Sequence, residues 1–278
     1  MKIILRIALL FVFPAQFIWA NPENLGGTNT ISVQTESTVG GTNNEASGEG
    51  STALGNNNVS SAVHTTVVGA DNTATVEGAL SMGYNNDAQD VAATAVGTSN
   101  SALRDRSTTV GFGNVVEVDL GTSVGNFNLV NSANPEDEGG SAFGHHNNAT
   151  GSNALTVGSW NDATGIGSSA VGDTNRNVAG DFSSAFGAVN STSADRTTAV
   201  GYGNRAFAEN GTAVGHTNEA LGIGSTAVGY LNTAEGLNSS AFGYLNTIAP
   251  SGSEALAAGA NNEVNDSGGT AVGLYNQT

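Results

Sequence analysis

Thr226-Ala227-Val228-Gly229-Tyr230-Leu231-Asn232-Thr233-Ala234-Glu235-Gly236-Leu237-Asn238-Ser239 is followed at once by Ser240-Ala241-Phe242-Gly243-Tyr244-Leu245-Asn246, the same pattern begun again 14 residues on. A glycine with an asparagine three residues later recurs in this way 17 times, from Gly40 with Asn43 to Gly273 with Asn276. Gly97 with Asn100, Gly201 with Asn204, Gly215 with Asn218, Gly229 with Asn232 and Gly243 with Asn246 are the cleanest members. Chance does not hold one polar side chain so strictly while its neighbours drift, so the pair is structural.

Counting from the repeat glycine as position zero, −3 is mostly Thr or Ser, −2 mostly Ala and −1 mostly Val or Phe. Such alternation with a β-branched member makes one short strand. After the Asn a second small-residue run follows, with Ala at the fifth position in Ala74, Ala88, Ala102, Ala149, Ala163, Ala206, Ala220 and Ala234. Two strands and two turns fit in 14 residues; a pair of helices does not, and a glycine in every unit opposes helix. A unit this small buries nothing alone, so units must stack. The expectation is an all-β, parallel β-solenoid of about 14 residues per coil. Val and Phe at −1 are expected to point inward as a continuous apolar column, with Thr at −3 on the same buried face. The Asn is expected in a left-handed corner, its amide laddered along the rod.

Spacing departs from 14 in four places. Gly40–Gly55 and Gly172–Gly187 are 15 apart and Gly243–Gly259 is 16, which reads as turn bulges. Gly125–Gly144 is 19, so the stretch 132–138, carrying Pro135 and Glu136-Asp137-Glu138, is expected as a protruding loop. Residues 37–278 are then the repeats and 21–36 a cap over the first open edge.

Lys2 and Arg6 before an apolar run, with Ala20 after Trp19, read as a secretory signal peptide over residues 1–20. No other stretch is apolar enough to span a bilayer as a helix, so no membrane insertion by this chain is expected. Zero cysteines rules out disulfides and thiolate metal sites. Without residues 1–20, five arginines face 24 acidic residues, a balance of −19, which repels nucleic acid and anionic lipid.

The unit from Thr226 to Ser239 resembles the head repeat of YadA-like trimeric autotransporter adhesins, over nearly all of residues 37–278. That resemblance implies a left-handed β-roll, a homotrimer and a non-enzymatic surface adhesin meeting host matrix, cells or abiotic surfaces. No heptad stalk and no barrel strands follow the repeats. The expected location is therefore secreted or cell-surface, and the outer membrane only if an anchor lies outside this sequence.

Little in the sequence suggests chemistry. His145 and His216 share a register position but lie five coils apart, about 24 Å, too far to share an ion. His145 and His146, as neighbours, are expected to face different ways, and His64 stands alone. No serine nucleophile arrangement is present, and Glu136-Asp137-Glu138 reads as a solvated loop with at most a Ca²⁺ role. No cofactor, metal site or catalytic residue is expected. The sequons at Asn58, Asn148, Asn190, Asn210, Asn238 and Asn265 are what so Asn-rich a chain gives by accident.

The two positions after the glycine hold Tyr84, Phe112, Phe127, His145, Trp160, Tyr202, His216, Tyr230 and Tyr244, an intermittent ridge. Its roles are packing against neighbouring subunits, or contact with extracellular protein or carbohydrate. Adhesion is the expected function. The alternatives are a structural coat or matrix solenoid and ice binding. Ice binding needs the broken Thr column at −3 (Thr198, Thr212, Thr226 and its equivalents) on the outside, opposite to the orientation expected here.

Overall fold

The computed structural model describes residues 29–31, 37–132, 134, 138–176 and 178–278. Seventeen five-residue strands, from Thr38–Thr42 to Thr270–Leu274, pair in parallel with their successors in chain order. Register advances one repeat per coil: Thr212 opposes Thr226, Val214 opposes Val228 and Gly215 opposes Gly229. Between them run two-residue strands such as Glu219–Ala220 and Thr233–Ala234, stacked as a second parallel sheet. No helix occurs among the described residues. With about 4.8 Å between successive strands, the 17 coils form a rod of roughly 80 Å. The solenoid expected from the repeat is the fold observed.

The interior reverses the expectation. In most long strands it is −2 that is buried: Ala199, Ala213, Ala227 and Ala241 are inaccessible. Facing them are the alanines of the short strands, Ala206, Ala220 and Ala234, with Ser225, Ser239 and the ladder asparagines completing the core. Strand residues alternate faces, so −3 and −1 must point outward. Phe143, Phe186 and Phe242 are 38%, 41% and 40% exposed. Volume decides the parity. A coil closed by two tight corners holds Ala, Ser and Asn, but it has no room for a file of Val and Phe. Sequence apolarity pointed one way and available space the other.

The corners also differ from expectation. Left-handed φ falls on the residue before the ladder Asn, for example Trp160 (57°), Thr217 (54°) and Leu231 (56°), and again at the far corner, as in Asn210 (57°). The repeat glycine is fixed twice over. Gly229 has φ 126°, and a Cβ there would lie 2.1 Å from the carbonyl oxygen of Gly243.

At the start of the rod, Gly41 opposes Gly55 and Asn44 enters the ladder. The first pair is therefore Gly41 with Asn44 rather than Gly40 with Asn43, and no bulge exists there. Gly40 takes the outward −1 place opposite Leu54. Asn29 also joins: its Oδ1 accepts the Asn44 amide at 2.9 Å, and Thr30–Ile31 pairs with Glu45–Ala46. The described part of the segment read as a cap thus continues the coil; its remainder, like the signal peptide, lies outside the described residues. The extra residue before Gly187 falls in the short-strand layer, where Val178 alone bridges Ala163 and Thr192. The two extra before Gly259 fall in the turn after Thr247–Ile248, closed by the Gly252 amide donating to Ala249 at 2.8 Å. Within the long insertion, Glu138 already rejoins the rod by bridging Asp119; Pro135, Glu136 and Asp137 lie outside the described residues.

Candidate functional site

Each coil offers three places for function: the buried amide file, the outward face of the long sheet, and the corners. The amide file is closed. Asn232 Nδ2 donates to Asn218 Oδ1 (2.9 Å), to the Gly243 carbonyl (2.8 Å) and to the Val228 carbonyl (3.1 Å). Its Oδ1 accepts from the backbone N–H and the Nδ2 of Asn246 (3.1 and 2.9 Å). The pattern holds at Asn100, Asn204, Asn218 and Asn246 and crosses the insertion, where Asn147 reaches Asn128. These side chains are fully buried and their polar atoms saturated, so they hold the coils and offer nothing to a ligand.

The outward face of the long sheet was not foreseen as a surface. Its −3 file is Thr, Ser or Leu, and its −1 file is Val, Phe, Leu, Met, Ala or Gly; none of these 34 positions carries a charge. At +1 the single formal charge is Asp173. Side-chain volume against coil size was the signal that could have revealed it.

Corner aromatics fall into two groups. Phe112 meets Phe127 edge-on at 4.8 Å, Phe127 stacks on His146 at 5.2 Å, and His146 stacks on Trp160 at 4.2 Å. His145 lies edge-on to His146 at 4.2 Å, so these neighbours converge rather than diverge. The reason is backbone: φ of 52° at His146 turns the chain through the corner there. Four coils further along, Tyr202, His216, Tyr230 and Tyr244 stack in series at 5.0, 5.0 and 5.5 Å. Tyr84 is exposed and isolated, its register neighbours being Ala70 and Thr98.

The remaining charges are arranged for the surface. Arg205 pairs with Glu219 at 2.9 Å one coil away and lies 4.5 Å from the centroid of the Phe207 ring; Arg196 pairs with Glu209. Burial raises Asp87 above the usual carboxylate range, opposed by the Gln89 amide. Burial raises Asp162 likewise, opposed by Asn148 and Arg176. Both lie on the short sheet but five coils apart, about 24 Å, too far to work as an acid–base pair. Among the described residues no group of three or more His, Asp or Glu gathers as a metal site, and no helix is long and apolar enough to cross a membrane.

Segments 35–58, 193–218 and 220–246 match the family model of the YadA head domain repeat (2 copies). The coils between them keep the same strand register and the same amide file. Comparison with curated proteins gave no match.

Proposed function

We propose that this chain, which carries the YadA head repeat, is the head of an extracellular or cell-surface adhesin that works as a homotrimer without catalysis. Residues 1–20 direct its export. The observation that carries the proposal is the uncharged outward face of the long sheet. A chain with 31 charged residues keeps all of them off two files running the length of the rod. Half-exposed Val and Phe on so long a face favour burial by another protein surface, and the partner whose pitch matches coil for coil is a second copy of the same rod. Association of three such faces would leave the corners and the acidic short sheets outward to meet host or abiotic surfaces.

Sedimentation of the mature chain tests this. A trimer is expected, and Val214→Asp with Val228→Asp should give monomers with an unchanged far-UV circular dichroism spectrum. A monodisperse wild-type monomer at micromolar concentration would remove the assembly from the proposal. Retention of beads coated with the protein on matrix-coated and bare plastic surfaces tests adhesion itself.

One observation favours a second reading. Thr198, Thr212 and Thr226 point outward beside Val200, Val214 and Val228, so the orientation that ice binding needs is present. Phe143, Phe186 and Phe242 interrupt the flatness of that face, which favours the subunit contact. Thermal hysteresis measured on the mature protein separates the two; growth-shape change of ice crystals together with a monomeric state would favour ice.

A further inference from the structure

We propose that Tyr202, His216, Tyr230 and Tyr244 form a recognition strip for an extended, uncharged β-1,4-linked glycan lying parallel to the rod, one sugar residue per coil. This deepens the adhesin reading and rests on it for the free position of the +1 file, beside the subunit contact rather than within it.

Geometry comes first. The four rings recur once per coil, with centroids 5.0, 5.0 and 5.5 Å apart and planes within 26° of parallel. Rings lying side by side in one plane would collide at that distance, so they overlap like shingles in the offset-stacked arrangement. Each then leaves part of one face and its outer tip open, and the three tyrosines are 52%, 41% and 46% exposed. Among the described residues no hydrogen bond engages the three phenol hydroxyls, while the His216 Nδ1 meets Thr217 Oγ1 at 2.9 Å. The strip therefore presents apolar ring surface alternating with unoccupied polar groups, and stacking fixes the rings before any ligand arrives, which lowers the entropy lost on binding.

Pitch and charge select the ligand. A β-1,4-linked pyranose chain is straight and advances by nearly one coil spacing per residue, so each sugar can set its C–H face on one ring and its hydroxyls against the phenol tips. An extended peptide brings side chains to one side about every 6.6 Å and falls out of step with the rings. A polyanion meets a chain of net charge −17 and is repelled.

Isothermal titration of the full-length mature protein with cellohexaose and with chitohexaose tests the strip. Saturable binding of at least one is expected. Tyr230→Ala and Tyr202→Ala should each weaken it about tenfold, the scale of one lost aromatic contact. Tyr230→Phe should weaken it less, and Tyr84→Ala, which removes the isolated ring, should leave it unchanged. Absence of wild-type binding at millimolar oligosaccharide would overturn the proposal. So would equal binding of the helical α-linked maltohexaose, or equal loss in Tyr84→Ala. Dissociation of the assembly by Tyr230→Ala would reassign the rings to the subunit contact. Bead retention measured in parallel separates the two levels: retention without oligosaccharide binding ends the strip and leaves the adhesin reading standing, whereas no retention on any surface ends the adhesin reading itself.

Discussion

Asn232 illustrates how one side chain can hold a coil on both sides. Replacing it with alanine removes donors from Asn218 Oδ1 and two carbonyls and removes the acceptor used by Asn246. Leaving those buried groups unmatched should cost about 3 kcal/mol, read as earlier urea unfolding and faster amide exchange in the coils on either side. Asn232→Asp should do worse at neutral pH. A carboxylate there faces carbonyl oxygens in a buried place, so its folded pKa is raised, and stability is lost as pH rises above the unfolded value. Asp162 carries the same sign natively, since burial dominates its raised pKa. Asp162→Asn should therefore raise the Tm at pH 7, and the gain should fade as pH drops towards 4, about where the unfolded carboxyl titrates. The role of the amide file was legible from its spacing, but its backbone was not. Left-handed φ sits on Leu231, Trp160 or Val189, types that avoid it. Such corners persist because their amides are already bound to the previous coil, as Leu231 N–H is to the His216 carbonyl at 3.0 Å. Nothing local in the sequence announces that bond.

Among the elements, the short strand and the turn that follows it exchange volume. Where the fifth position enlarges to Val116 or Val264, the residue five further on is Gly121 or Gly269, and a Cβ on either glycine would come within 2.6 Å of the valine. Ala206 has Gly211 at that place, whereas Ala234 has Ser239. Ala234→Val should thus overpack its coil, costing about 1–3 kcal/mol. Ala206→Val should cost clearly less, and Ser239→Gly should rescue Ala234→Val. Differential scanning calorimetry of the four variants checks the pattern; equal losses at 206 and 234 would show that the turn does not set the space. This exchange explains why strand existence could be read from the sequence but strand facing could not. Period two says that −3 and −1 share a side, while only the volume enclosed by the finished coil says which side. That one inversion turned Val228 and Phe242 from expected core into surface, and with them the whole candidate interface.

For the molecule as a whole, contacts run only between successive coils, so the rod behaves as a one-dimensional stack whose integrity depends on phase rather than on any particular unit. Deleting residues 213–226 removes 14 residues and joins Thr212 to Ala227. The strand then reads Thr212-Ala227-Val228-Gly229, Asn204 comes to lie below Asn232, and Ala remains inward. Such a variant should fold with the same far-UV spectrum, a rod shorter by about 4.8 Å in solution scattering, and a stability close to that of the parent. Deleting only 213–225 joins Thr212 to Thr226 instead and leaves 13 residues between Asn204 and Asn232. Every side chain in that coil must then change face or a corner must stretch, because a one-residue slip exchanges the two sides of a strand. The coil should open, splitting the rod into two stacks that unfold separately in urea. Equal stability of the two deletions would mean that the corners, rather than the amide file and alanine core, absorb the phase of the repeat.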